Sequence, residues 1–241
     1  MKNLGIVIAL LVISTSVFAQ PSGQYLRLQG FPQHGYIEIP HDALLDTRAM
    51  TVEAWVSVRD AHNATGCSSI AGKGWTTAWW LGLCGTTMRS YFNGSGSQTD
   101  GGVMPAEPTV WIHIAAVTDG TTRKHYINGN LVSQGAEPAR SESALPLRIG
   151  SDVAYAFTPE GGIDDLRIWK VARTQAQIRQ TMFAPYILEA NDVSGMFQGL
   201  EAWYRFEGNA MDSWRTHHGT IIGAGISFSA APAYRRHSAA H

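Results

Sequence analysis

The chain has 241 residues, 44% of them hydrophobic, with 18 Lys and Arg against 19 Asp and Glu for a formal charge of −1. That length and apolar share suit one large domain with a sizeable core. The near-neutral balance argues against nucleic acid or anionic lipid as a general partner, and leaves small neutral polar ligands and protein surfaces open.

Residues 1–19 read as a cleavable signal peptide: Lys2 supplies the positive start, Leu4 to Ile13 the apolar stretch, and Val17-Phe18-Ala19 a small-residue cleavage site. The apolar run is shorter than the roughly 20 residues a membrane helix needs, so no membrane span is expected in the mature protein. A secreted or periplasmic location follows. Cys67 and Cys84, the two cysteines, then read as a disulfide, with two free thiols as the rival.

Short alternating runs separated by Gly, Pro, Asn and Asp follow from Tyr25 almost to the end. Strands are expected near 25–29, 36–39, 50–58, 68–71, 79–83, 88–92, 111–118, 124–127, 147–149, 163–169, 200–206 and 219–222. Asn128-Gly129 marks a tight turn. Thr174 and Gln177 form a capping-box pattern that opens one short helix, with Ile178 and Met182 on one face. The tail 229–241 is expected to fray. No change of composition divides the chain into further domains.

Gly161-Gly162-Ile163-Asp164-Asp165-Leu166-Arg167-Ile168-Trp169, running into the capped helix, resembles the closing strand and helix of laminin-G-like jelly rolls. These belong to the concanavalin A-like lectin and glucanase superfamily. Thr51-Val52-Glu53-Ala54-Trp55-Val56, Trp111-Ile112-His113-Ile114-Ala115-Ala116-Val117 and Leu200-Glu201-Ala202-Trp203-Tyr204-Arg205-Phe206 resemble its other strands, in family order. The resemblance implies an all-β, two-sheet antiparallel jelly-roll sandwich with one short helix over residues 20–228. It also implies a secreted binder of glycans or of an extracellular protein ligand, and a calcium ion held by acidic loops. Asp164 and Asp212 match those acidic positions and Asn209 adds an oxygen, although Trp214-Arg215-Thr216-His217-His218 replaces the usual small-residue run.

Strand parity gives an independent reading. Val52, Ala54, Val56 and Val58 share one face, and Glu53, Trp55 and Ser57 the other; Glu201, Trp203 and Arg205 likewise oppose Leu200, Ala202, Tyr204 and Phe206. Trp55, Trp203 and Arg205 therefore form either an outer platform for sugar rings or a second small core beneath the helix and loops. Trp75 and Trp79, in the loop between the cysteines, are a second candidate edge, with Trp75 preferred. Parity also sets Asp164 with Leu166 and Ile168 on the inner face, where a carboxylate needs a cation or backbone N–H groups.

Catalysis is disfavoured. No strand carries acidic residues at alternating positions, and Glu53 with Glu201 is the single carboxylate pair that could meet across strands. The reading is a non-catalytic, lectin-like carbohydrate-binding module, calcium-assisted if the Asp164 site is real, with an adhesive protein-binding domain as the alternative.

Overall fold

The computed structural model describes residues 23–30, 32–59, 66–93, 99–104, 110–137, 142–152, 158–183 and 195–230. The expected signal peptide and nearly all of the tail lie outside them. The strands are β1 (Gln24–Gln29), β2 (Tyr36–Ile39), β3 (Met50–Arg59), β4 (Cys67–Gly72), β5 (Trp80–Cys84), β6 (Thr87–Tyr91), β7 (Thr99–Val103), β8 (Ile112–Thr118), β9 (Thr122–Ile127), β10 (Asn130–Ala136), β11 (Leu147–Ile149), β12 (Glu160–Trp169), β13 (Leu200–Tyr204), β14 (Thr220–Ile222) and β15 (Ile226–Ala230). A 3₁₀ turn spans Ala43–Leu45 and one helix, α1, spans Gln175–Thr181.

Two antiparallel sheets form a sandwich. The first runs β10-β9-β8-β3-β12-β1-β15, with β13 also paired to β12, and the second runs β14-β2-β11-β4-β5-β6-β7. Between them lies the main core, in which Leu26, Ile39, Val52, Ile114, Ile149 and Ile168 are fully buried. The alternation expected for β3 holds: Val52, Ala54 and Val56 enter this core while Glu53, Trp55 and Ser57 take the other face.

Two devices cover much of the outer face of the first sheet. Helix α1 lays Ile178 on Ala115, Val117 and Tyr126. The Thr174–Gln177 capping box opens it, with the Thr174 N–H donating to Gln177 Oε1 at 2.8 Å. Further along, Trp169, Phe197, Leu200 and Trp203 make a separate small core. Beneath the helix, Glu53 is fully buried and paired with Arg173 at 3.0 Å, while Trp169 Nε1 also donates to it at 3.0 Å. A buried carboxylate held this way costs little only while its partners stay in place.

Cys67 and Cys84 face each other across β4 and β5 and form the disulfide. The three strands the alternation did not predict are β7, β10 and β15. β10 is largely exposed, and β7 carries Gly101-Gly102, so neither has the apolar period that marks a buried strand.

Candidate functional site

Among the described residues, part of the first sheet's outer face forms a groove over β1, β3 and the start of β12. In β1, Leu26 and Leu28 point into the core, which turns Tyr25, Arg27 and Gln29 outward. Arg27 and Ser57 both pair with Gly162, and Gln29 pairs with Glu160. Trp111, just before β8, leans over the same spot and meets Tyr25 edge to face, with ring centres 5.1 Å apart. A Cβ on Gly162 would stand 2.7 Å from both rings, so the two rings pack down onto a residue that must lack a side chain. The result is a concavity of about 250 Å³ with aromatic edges at one end and Arg27, Gln29 and Glu160 around it. Arg27 and Gln29 are exposed, and Tyr25, Trp111 and Glu160 are half-buried.

Such a lining can hold a ring with an apolar face and polar rim, because C–H groups pack on aromatic surface while hydroxyls meet charged and amide groups. The expected site residues did not include Tyr25, Arg27, Gln29, Glu160 or Gly162. Alternation in Tyr25–Gln29 was the available signal. What it lacked was the partner strand.

Three of the expected site tryptophans are buried; the second-core alternative describes Trp55 and Trp203, and Trp79 lies in the main core. Trp55 sits under α1, its ring 5.2 Å from Phe183 and its Nε1 donating to Met182 O at 2.8 Å. Trp203 is 1% exposed, with the Arg167 guanidinium 4.0 Å from its ring centre and Phe197 stacked at 5.6 Å. Trp79 is 0% exposed and donates to Leu45 O at 2.9 Å from inside the main core. In each case the indole N–H has an internal acceptor, so the ring is anchored inward rather than displayed.

Trp75 and Arg205 keep some surface. Trp75 is half-buried on the outer side of the second sheet, its backbone N–H donating to Asp152 Oδ2 at 3.2 Å and its ring 6.3 Å from Tyr91. Next to Tyr91, Trp80 lies flat across the sheet, since a Cβ on Gly82 would meet its ring at 2.3 Å. Arg205 pairs with Glu207 at 3.5 Å, and Glu207 accepts the Gln24 N–H at 2.9 Å, which brings this pair to the start of β1 beside the groove. Trp75 and the groove are on opposite outer faces of the sandwich.

The three residues expected to hold calcium each accept backbone amides. Asp164 is opposite Trp55, on the outer face rather than the inner one, because a β-bulge inserts Asp165 with φ of +49° before Leu166 returns to the core. Asp164 Oδ1 accepts the Asp165 N–H at 2.8 Å. Asp212 accepts three backbone N–H groups, from Trp203, Trp214 and His217 at 2.9 to 3.1 Å. Asn209 Oδ1 accepts the Met211 N–H at 2.9 Å. These oxygens brace the local backbone, and among the described residues no group of three His, Cys, Asp or Glu could hold a metal ion.

Glu53 and Glu201 do not form a carboxylate pair. Glu53 belongs to the Arg173 network, whereas Glu201 pairs with Lys170 at 3.2 Å, Arg215 at 3.3 Å and His217 at 3.2 Å. Two buried histidines carry large shifts. His113 is pushed down to about 3 by burial, then by Arg167 and Arg173, and His125 to about 4 by burial and Arg123. Neither lines the groove.

Comparison with known proteins gives matching results at two levels. A family model described as the Concanavalin A-like lectin/glucanases superfamily (Laminin_G_3) matches residues 31–179, more than half of the chain. Pappalysin-1 of Mus musculus is 35% identical over 82 residues, which is 31% of this chain and 5% of that protein, so the chain spans a small fraction of that relative. Among solved structures, a Bacteroides ovatus protein described as a candidate carbohydrate-binding protein superposes with a TM-score of 0.68 at 16% identity, covering 88% of this chain and 60% of that one. A heptameric SAP-like pentraxin from Limulus polyphemus superposes with a TM-score of 0.54 at 15% identity, covering 87% and 96%. At those identities the likeness concerns the fold.

Proposed function

Because the chain belongs to the concanavalin A-like lectin/glucanases superfamily, we propose that it is a lectin-like carbohydrate-binding module whose sugar contact is the Tyr25–Trp111 groove. The observation that carries this reading is the concavity of about 250 Å³ beside the Tyr25–Trp111 pair, rimmed by the polar side chains of Arg27, Gln29 and Glu160. At about 250 Å³ the space is below the roughly 300–1,000 Å³ of drug-sized sites, so it suits one sugar residue rather than a long stretch of chain. The described carbohydrate-binding character of the Bacteroides ovatus neighbour supports the same class of ligand.

Asp164, Asp212 and Asn209 do not line this groove, so the reading is of binding that does not depend on a cation at those residues. Export is part of the proposal: the apolar segment at residues 4–13 and the Cys67–Cys84 disulfide both suit an oxidising compartment. The test is a glycan screen with and without chelator, using the wild type and Trp111→Ala. Chelator-insensitive binding that Trp111→Ala removes would support the groove. A screen on which Trp111→Ala binds every sugar as well as the wild type would refute it.

A further inference from the structure

Resting on that reading of the groove, we infer that its sugar is an acidic one, a hexuronate residue whose carboxylate is taken by Arg27. The Arg27 guanidinium is exposed on the groove wall and makes no ion pair or side-chain hydrogen bond among the described residues. Three other surface arginines have carboxylate partners, Arg89 with Asp100, Arg148 with Glu38 at 3.0 Å and Arg205 with Glu207 at 3.5 Å, while Arg48, exposed without an ion pair among the described residues, does not line the groove. Arg27 has Gly162 and Ser227 as its cross-strand neighbours, so neither adjoining strand sets a charged side chain directly opposite it.

Glu160 lines the groove too, but it pairs with Gln29, one step further along the strands. Two residues of strand separate such rungs by about 7 Å, and no ion pair joins Arg27 to Glu160. The two charges therefore face the groove as distinct contacts. A ligand that meets both needs an acceptor with negative charge at one end and hydroxyl donors at the other. A hexuronate has that arrangement: a planar carboxylate matching the two-pronged guanidinium, and ring hydroxyls that donate to Glu160 and Gln29. Its C–H face is left for the Tyr25 and Trp111 edges. A neutral sugar would leave Arg27 without an anionic partner.

The experiment is calorimetric titration of the full chain with short galacturonate, glucuronate, mannuronate and guluronate oligomers, each beside its methyl ester. A sulfated and a sialylated oligosaccharide complete the panel. The ester keeps the shape and removes the charge. At least one acid should bind about tenfold more tightly than its ester, with the gap shrinking as NaCl rises from about 50 to about 500 mM. Arg27→Gln should bring acid and ester within about threefold of each other, while Trp111→Ala weakens both. Thermal unfolding serves as the folding control, and Arg27→Gln should leave it unmoved because that side chain is exposed and unpaired.

Equal binding of acids and esters would overturn the hexuronate assignment. So would binding of sulfated or sialylated sugars alone, or full acid preference in Arg27→Gln. In those cases the broader glycan reading survives wherever Trp111→Ala still abolishes binding. Absence of binding to the whole panel and to a neutral glycan screen would overturn both.

Discussion

Trp203 donates its indole N–H to Asp165 Oδ1 at 2.7 Å, and Asp165 is the bulge residue that holds φ at +49°. One side chain thus anchors a buried ring and occupies a backbone region that Asp tolerates better than most residues. Asp165→Leu should remove the acceptor and place a branched apolar side chain at positive φ, costing roughly 2–4 kcal/mol. Asp165→Asn should cost much less, because it keeps both an acceptor and the tolerance for this conformation. Denaturant unfolding of the two variants checks this. Equal stability of the pair would mean that the bond carries no weight.

How this face of the sandwich was legible follows from the same residues. Alternation in Val52–Ser57 and in Leu26–Leu28 named the core correctly, because burial of one face leaves a period of two in the sequence. Whether Trp55 and Trp203 were displayed or covered depended on where α1 and Phe197 dock, and docking leaves no local period. The inner-face reading of Asp164 failed for a related reason. A single inserted residue reverses parity, and nothing in Asp164-Asp165 announces it. The groove was hidden because Arg27 and Gly162 stand 135 positions apart in the chain and meet only through β1–β12 pairing.

His113 and His125 should make stability depend on pH. Both have folded-state values pushed far below the usual 6.5, to about 3 and about 4, chiefly by burial. The unfolded chain therefore takes up protons as pH falls through 6.5 while the folded chain does not, so stability is greatest above that value and declines on acidification. Between pH 7 and pH 5 each histidine should cost roughly 2 kcal/mol. Denaturant midpoints at the two pH values measure the slope. His125, whose Nε2 lies 2.7 Å from Ser90 Oγ between the sheets, is the one to replace. His125→Gln should flatten the slope by about half, and an unchanged slope would show that other groups cause it.

The Cys67–Cys84 disulfide closes a loop of sequence separation 17 that contains Trp75 and Trp79. Its loss should destabilise by roughly 3 kcal/mol in the chain-entropy account. For a chain of this size that corresponds to a fall in Tm of about 6–12 °C. Thermal scans of the Cys67→Ala, Cys84→Ala double variant against wild type read this directly. Sugar binding at the Tyr25–Trp111 groove should be unaffected once the protein is folded, because the disulfide belongs to the other sheet.

Gly162 gives the sharpest separation between the two half-exposed aromatic regions. A methyl group there would approach Trp111 and Tyr25 at 2.7 Å, so Gly162→Ala must push both rings outward or fill the space between them. Ring ends can yield where backbone cannot, so the fold should persist with a small loss of stability, about 1 kcal/mol. Sugar affinity should nonetheless fall by about tenfold, because the apolar face of the ligand loses its seat. Trp75→Ala, on the far side of the sandwich, should leave affinity as it was. The reverse pattern, with Gly162→Ala silent and Trp75→Ala inactive, would move the recognition surface to the loop between the cysteines and the second sheet.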